Sequence, residues 1–241
     1  MVGRQIVAGS GGLHFTDQTE MLTPIIEYIL SLANKKRPRF CYIGTADGDS
    51  ATKIANFYNT CKSKGVDANH LQLFPMPNHT DIEKFLLSQD VIWVGWGSTV
   101  NLLAVWQAHG LFEILRKAWE KGVVLSGLSA GALCWSAAGT TDSYGIDLQP
   151  ITNKFSLLPY SLGVHYDSEK QRRPLFQKLI GEGEIPAGYA TDDGVSLHFI
   201  DTKLHKVISD TAGKAAYHVY KGKTGKVIEE RLEPELLPSV K

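Results

Sequence analysis

Ser129 lies between two glycines in the segment G-L-S-A-G (127–131), which follows the apolar run V-V-L-S-G-L (123–128). A serine on a sharp turn between a buried strand and a helix projects its hydroxyl above the sheet edge, where it can attack a carbonyl carbon. Such a turn packs tightly and needs small neighbours, and the N–H groups that open the next helix can stabilise the developing oxyanion. The alternative is a serine that only caps a helix. The strand before and the helix after favour the nucleophile.

A nucleophilic serine needs a base, and the chain has eight histidines. His165 differs from the rest because it lies in an irregular stretch, L-P-Y-S-L-G-V-H-Y-D (158–167), from which a loop can carry a base over the carboxyl edge of a sheet. Local context alone leaves an exposed loop histidine as an equally good interpretation of His165. The remaining histidines are His14, His70, His79, His109, His198, His205 and His218.

Other motifs favour structural roles. A-G-S-G-G-L-H (8–14) follows a strand, but a histidine stands where a dinucleotide-binding loop needs its last glycine, so tight-turn glycines explain it. T-A-D-G-D-S (45–50) lacks the later glutamate of a calcium loop. Cys134 is expected to be a small buried side chain. No group of His, Cys and Asp has metal-ligand spacing, so we expect neither a metal nor a cofactor.

Apolar segments of strand length alternate with amphipathic helices in the first half of the chain. Predicted strands cover 4–9, 39–45, 70–76, 90–96 and 123–128, and predicted helices cover 19–36, 50–65, 80–88 and a pair broken at Gly110. This alternation predicts an α/β protein with a parallel sheet covered on both faces. After about residue 190 the pattern changes to short strands, at 194–200, 205–210, 215–220 and 226–232. No composition break marks a second domain, so we expect one α/β domain over residues 1–241.

Composition argues against several classes of partner. Lys plus Arg equals Asp plus Glu at 25 each, so the chain lacks the basic charge that nucleic-acid binding uses. Three cysteines without a C-x-x-C pair favour a reducing compartment. The first residues lack the apolar core of a secretory signal, and no stretch approaches the eighteen or so apolar residues of a membrane span. We therefore expect a cytoplasmic protein that binds neither nucleic acid nor membranes.

Six segments occur in an order that is characteristic as a set. They are V-G-W-G-S-T-V-N-L-L-A-V-W-Q-A-H-G (94–110), G-L-S-A-G-A-L-C-W (127–135), T-T-D-S-Y-G (140–145), L-L-P-Y-S-L-G-V-H-Y-D (157–167), R-R-P (172–174) and G-Y-A-T-D-D-G-V-S-L-H-F (188–199). Together they resemble the peptidase E (aspartyl dipeptidase) and cyanophycinase family of serine peptidases. The resemblance implies a flavodoxin-like fold of the class I glutamine amidotransferase-like type, a mostly parallel sheet with helices on both faces and a strand-rich C-terminal extension.

The resemblance also implies roles for individual residues. Carried over by position, Ser129 is the nucleophile and His165 is the base. The backbone N–H groups of Gly97 and Ala130 would bind the oxyanion. Trp96 stands where many relatives have a glycine, and its ring would either narrow the site or pack beneath the loop.

The resemblance implies Asp142 as the best match for the acid, because it lies between the serine and the histidine in chain order as the family's acid does. Asp147 is a competitor a few residues further on. Asp192 and Asp193 could also approach the site, although a turn before a strand is the favoured interpretation of this pair. A buried acid would orient the imidazole without taking its proton.

The implied activity is hydrolysis of small peptides after an acidic residue, as in an Asp-X dipeptidase, through an acyl-enzyme and by a monomer or homodimer. Arg172 and Arg173 would supply a fork for a substrate carboxylate, and two solvated arginines at a helix start are the alternative. The same machinery could instead cleave an isopeptide or another amide, as in cyanophycinase. A catalytically silent ligand-binding relative is the remaining interpretation.

Overall fold

The computed structural model describes residues 3–12, 14–16, 19–21, 23–62 and 64–238. The strands, in chain order, are β1 (Gln5–Gly9), β2 (His14–Thr16), β3 (Thr19–Met21), β4 (Arg39–Ile43), β5 (Asp67–Leu71), β6 (Val91–Val94), β7 (Val124–Leu128), β8 (Ser136–Thr141), β9 (Gln149–Thr152), β10 (Leu158–Gly163), β11 (Gly188–Thr191), β12 (Val195–Ile200), β13 (Lys203–Ser209), β14 (Ala216–Lys221), β15 (Val227–Leu232) and β16 (Glu235–Leu236). The helices are α1 (Pro24–Leu32), α2 (Ala51–Cys61), α3 (Ile82–Leu87), α4 (Thr99–Ala108), α5 (Leu111–Glu120), α6 (Ala130–Leu133) and α7 (Arg172–Glu182), with a turn of 3-10 helix at Thr45–Asp47.

The first sheet has eight strands in the order β16-β13-β12-β1-β7-β6-β4-β5. Strands β1, β7, β6, β4 and β5 run parallel, and β12 pairs antiparallel with β1. Neighbouring residues of β1 face opposite sides, because side chains alternate along a strand. Ile6 belongs to the core cluster that contains Leu102 of α4, whereas Val7 belongs to the cluster that contains Ile25 of α1. This sheet is therefore covered by helices on both faces, as the alternation of elements predicted.

The second sheet has six strands in the order β15-β14-β11-β10-β8-β9. Strands β8, β10 and β11 run parallel. Strand β10 ends at Gly163, two residues before His165, and β11 ends at Thr191, two residues before Asp193. Parallel neighbours end at the same edge of a sheet, so His165 and Asp193 leave the second sheet side by side.

Several observed elements differ from the prediction, and the strand expected over 70–76 is observed at Asp67–Leu71. The helix expected from residue 19 begins at Pro24. Proline lacks an N–H, and the first turn of a helix tolerates this because its N–H groups have no acceptor inside the helix. The side chain of Thr23 accepts a hydrogen bond from the N–H of Ile26. The stretch 158–167, expected to be irregular, contains β10. The C-terminal strands are confirmed, but they divide between the two sheets: β12 and β13 join the first, and β14 and β15 join the second.

Candidate active site

Ser129 lies on a strained turn between β7 and α6. Its φ is 55° and its ψ is −113°, a backbone region that residues with a side chain rarely adopt. The turn leaves no room beside it: a Cβ on Gly127 would overlap the carbonyl of Gly131, and a Cβ on Gly131 would overlap the carbonyl of Val94. The N–H of Ser129 donates to the carbonyl of Gly9 at 3.1 Å. This is the geometry of a serine presented for nucleophilic attack at the end of a buried strand.

The imidazole of His165 lies beside the Ser129 hydroxyl. Its Nε2 atom is 3.0 Å from Oγ of Ser129, within the reach that a general base requires. His165 also has a positive φ, 54°, and its backbone N–H donates to Oγ of Ser10 at 2.9 Å. Its side chain is 24% exposed, so the ring borders solvent from which a small substrate can enter.

Asp193 completes the chain of hydrogen bonds. Its Oδ1 atom is 2.6 Å from Nδ1 of His165. The hydrogen bond from His165 holds the pKa of the Asp193 carboxyl below its ordinary value, against the opposing effect of burial. The Asp193 N–H donates to Oδ1 of Asp167 at 3.0 Å, and Asp167 pairs with Lys214. A carboxylate held in this position can select one imidazole tautomer and stabilise the imidazolium form.

Asp142, the acid expected from chain order, lies elsewhere. Its exposed carboxylate is 3.9 Å from the guanidinium of Arg172, and Asp147 is exposed as well. Asp192 is buried and accepts a hydrogen bond at 3.0 Å from the backbone N–H of Ala215, just before β14, and burial raises its pKa. The expectation that Asp142 faces His165 is therefore corrected. Chain order does not decide which loop reaches the ring, whereas the pairing of β10 with β11 does.

Sequence reasoning treated Asp193 mainly as a turn residue and gave Ser10 no role. A signal for Asp193 was present, because the short strand G-Y-A-T (188–191) ends two residues before it, just as the strand at 158–163 ends two residues before His165. Two parallel strands that pair with each other place the residues after them together. Ser10 carried no comparable signal, since its contacts depend on three distant parts of the chain.

Gly97 lies in the loop after β6, the strand next to β7, so this loop and Ser129 share one edge of the first sheet. Gly97 has a φ of 141°, and a Cβ there would overlap the carbonyl of Ala46. The N–H of Ser98 donates to that carbonyl at 2.8 Å. Ala130 begins α6, and the first N–H groups of a helix have no acceptor inside it. Both predicted oxyanion donors thus belong to segments at the nucleophile's edge of the sheet.

Trp96, the residue before Gly97, is partly buried against the protein core. Its ring lies against the core cluster of α1 and α2, and the ammonium of Lys53 is 4.2 Å from the ring centroid. Lys53 also pairs with Asp47 at 2.7 Å. Of the two alternatives for Trp96, the packed position is therefore the observed one.

Arg172 and Arg173 are held by acceptors of the protein itself. Arg172 is buried and donates to Oε2 of Glu169 and to the carbonyl of Thr140, both at 2.7 Å. Arg173 forms an ion pair with Glu229. The buried guanidinium of Arg172 offers no open fork, so its expected carboxylate-binding role is corrected, whereas the half-exposed Arg173 is already paired with Glu229. Both side chains instead tie α7 to the second sheet.

Among the residues that the structure describes, no three His, Cys, Asp or Glu side chains gather as metal ligands do. Cys134 is buried, and burial raises the pKa of its thiol well above the ordinary value, as expected of a packing residue. Within the same described ranges, every helix is too short or too polar to cross a membrane.

Comparison with known proteins places this chain among peptidases. The model of Peptidase family S51 matches residues 6–207. The uncharacterized peptidase YgaJ of Bacillus subtilis strain 168 is 43% identical over 218 residues, which are 90% of this chain and 92% of that protein. Peptidase E of Shewanella denitrificans is 28% identical over 153 residues, 62% of this chain and 63% of its own length.

The fold is shared with a solved structure. The crystal structure of a peptidase from an acI-B1 actinobacterium superposes with a TM-score of 0.70 at 16% identity, covering 99% of this chain and 97% of that chain. The predicted flavodoxin-like, class I glutamine amidotransferase-like fold is confirmed. The chain therefore belongs to peptidase family S51, and it is a serine-type peptidase.

Proposed function

We propose that this peptidase hydrolyses small peptides after an acidic residue through an acyl-enzyme, with Ser129 as the nucleophile, His165 as the base and Asp193 as the acid. The observation that carries the proposal is the continuous chain of hydrogen bonds, 3.0 Å from Ser129 to His165 and 2.6 Å from His165 to Asp193. Three side chains from two sheets meet in the order that acyl transfer requires.

The reaction follows from these positions. Nε2 of His165 takes the proton of the Ser129 hydroxyl as Oγ bonds to the scissile carbonyl carbon. The N–H groups of Gly97 and Ala130 stabilise the resulting oxyanion. His165 then gives the proton to the leaving amine as the C–N bond breaks. A water molecule, activated by the same ring, hydrolyses the ester and restores the serine.

Replacing Ser129 tests the proposal directly. We expect Ser129→Ala to lower kcat for Asp-Leu by at least about 10³-fold, because the covalent route is lost. Ser126→Ala is the matched control, since Ser126 is a buried serine of β7, the strand before Ser129, and its hydroxyl donates to the carbonyl of Ile92 at 2.8 Å. A fluorophosphonate should label the wild type and Ser126→Ala but not Ser129→Ala. Full activity in Ser129→Ala would refute the nucleophile.

The substrate class needs a second measurement. The preference for an acidic residue rests on the motifs that resemble the peptidase E family, and the corrected positions of Arg172 and Arg173 leave its binding group unassigned. Comparing kcat/KM for Asp-Leu, Asn-Leu and β-aspartyl-arginine separates an Asp-X dipeptidase from an isopeptide hydrolase. Equal rates for Asp-Leu and Asn-Leu would contradict recognition of a carboxylate.

We also propose a cytoplasmic location and a small peptide as the main partner. Support for the location comes from Cys41, Cys61 and Cys134, which are unpaired and buried. Burial raises the pKa of the Cys61 thiol to about 12 and raises those of the other two as well. Thiols in this state suit a reducing compartment.

A further inference from the structure

The turn that follows β1 reaches all three loops of the candidate site. This turn, Gly9–Gly11, belongs to the glycine-rich segment 8–14, to which the proposed reaction assigns no role. Ser10 at its centre is 1% exposed. A buried hydroxyl is retained only where it is hydrogen-bonded, so the partners of Ser10 indicate its role.

Ser10 contacts the segment that carries the base. Its Oγ atom accepts a hydrogen bond from the backbone N–H of His165 at 2.9 Å. The same hydroxyl lies 3.1 Å from the carbonyl oxygen and 2.7 Å from Oγ1 of Thr191, the last residue of β11. One side chain thus connects the residue that follows β10 to the end of β11.

The backbone of the turn contacts the other two loops. The carbonyl of Gly9 accepts from the N–H of Ser129 at 3.1 Å, and the carbonyl of Ser10 accepts from the N–H of Gly194, next to Asp193, at 3.1 Å. Nucleophile, base and acid are therefore each held, directly or through a neighbour, by one short turn of the first sheet.

Two of these residues need such support. Ser129 and His165 both have positive φ values, 55° and 54°, in a backbone region that is costly for residues with a side chain. A hydrogen bond to the N–H of each residue stabilises that conformation. The His165 bond is the one that depends on a side chain, and substitution can therefore remove it alone.

Gly9 and Gly11, on either side of Ser10, allow the turn to pack closely against Val195 and Gly194. A Cβ on Gly9 would overlap the carbonyl of Val195, and a Cβ on Gly11 would overlap the side chain of Ile25 and lie 2.9 Å from the carbonyl carbon of Gly194. Only a turn without these side chains fits between β12 and the site.

We propose that Ser10 is a positioning residue that holds the backbone of His165, and through it the imidazole, in line between Ser129 and Asp193. This inference rests on the proposed Ser129–His165–Asp193 machinery. Ser10 touches neither substrate nor reacting atoms in this role. Its contribution is the alignment of the base, so it acts on turnover rather than on substrate affinity.

The test is Ser10→Ala, measured beside Ser126→Ala. We expect kcat for the substrate hydrolysed by the wild type to fall about 10- to 100-fold, the scale that a misplaced catalytic group produces, while KM stays within about twofold. Ser126→Ala, which also loses a buried hydroxyl bonded to a carbonyl, should keep kcat within about threefold. The downfield proton resonance of the His165–Asp193 hydrogen bond should broaden or shift in Ser10→Ala only. A kcat in Ser10→Ala equal to that of Ser126→Ala overturns the proposal.

A second variant decides the matter if Ser10→Ala does not fold. Ser10→Cys keeps the shape of the side chain but accepts hydrogen bonds weakly, and it should also lower kcat with KM preserved; an unchanged kcat contradicts the inference. Ser129→Ala separates the two proposals. If Ser129→Ala stays active, the proposed function fails, whereas loss of activity in Ser129→Ala with a normal Ser10→Cys removes only the role of Ser10.

Discussion

At the scale of single residues, His165 has two different neighbours and each sets a different property. Ser129 supplies the proton that the ring would take at Nε2, and Asp193 holds the opposite nitrogen at 2.6 Å. Hydrogen bonding from His165 lowers the pKa of Asp193, so this acid stays ionised and the ring rather than the carboxylate carries the transferred proton.

Exchanging the two candidate acids for amides tests this assignment. We expect Asp193→Asn to lower kcat about 10³- to 10⁴-fold, because a neutral amide no longer stabilises the imidazolium and favours the wrong tautomer. Asp142→Asn is the matched control: its exposed carboxylate faces Arg172, so kcat should change less than about threefold. Steady-state hydrolysis of one dipeptide by both variants is sufficient. The reverse order of effects would restore Asp142 as the acid.

At the scale of elements, the sharp turn from β7 into α6 can form because Gly127 and Gly131 have no side chains to overlap the backbone packed against them. The first sheet brings the carboxyl end of β6 next to this turn, so the carbonyls of Val94 and Gly95 lie against Gly131. Packing of this kind leaves no alternative position for Ser129.

Adding one methyl group at this contact should therefore disturb both stability and activity. We expect Gly131→Ala to lower the free energy of unfolding by about 1–3 kcal/mol, as overpacking does, and to reduce kcat by at least about tenfold. Gly110→Ala is the control: Gly110 has a φ of 68° with open space around it, so it should cost about 1 kcal/mol of backbone strain and leave kcat intact. For each variant, urea unfolding measures the free energy of unfolding and a steady-state assay measures kcat. Normal turnover in Gly131→Ala would mean that the turn can relax.

At the scale of the whole molecule, His198 links three distant segments. It lies on β12, its Nδ1 atom is 2.7 Å from the hydroxyl of Tyr28 on α1, and its Nε2 atom is 3.1 Å from Oε1 of Gln5 on β1. A neutral ring satisfies both partners, accepting from Tyr28 and donating to Gln5. Burial, with smaller effects of His205 and Lys206, lowers the pKa of His198 to about 4.

This lowered pKa predicts a loss of stability in mild acid. Between pH 6.5 and about 4, His198 is protonated in the unfolded chain but stays neutral in the folded protein. The free energy of unfolding therefore falls as the pH falls through this window. Linkage gives about 2 kcal/mol at pH 5. In His198→Gln the difference between urea unfolding at pH 7 and pH 5 should shrink by about that amount. The same substitution at His109, which is exposed, should not change the difference; an unchanged difference in His198→Gln refutes the prediction.

Much of the fold could be predicted because its causes are local. The runs V-I-W-V (91–94) and V-L-S-G-L (124–128) are mostly apolar and fully buried, as strands inside a parallel sheet usually are, and the break at Gly110 coincides with a positive φ. The nature of residues 158–163 was not predictable in this way. A short strand at the centre of a second sheet is stabilised by its neighbours, and these are distant in sequence.

The amino-acid sequence by itself predicted the α/β architecture and the sharp turn at Ser129, and its resemblance to a known family favoured His165 among eight histidines. Strand periodicity, small residues around a serine and the order of the motifs all belong to contiguous segments. Only the tertiary structure decided that Asp193 rather than Asp142 faces the ring, that Arg172 and Arg173 are already paired, and that Ser10 accepts a hydrogen bond from the N–H of His165. These outcomes depend on which strands become neighbours in the sheets. A sequence pattern does not specify the spatial distance between residues that are far apart along the chain.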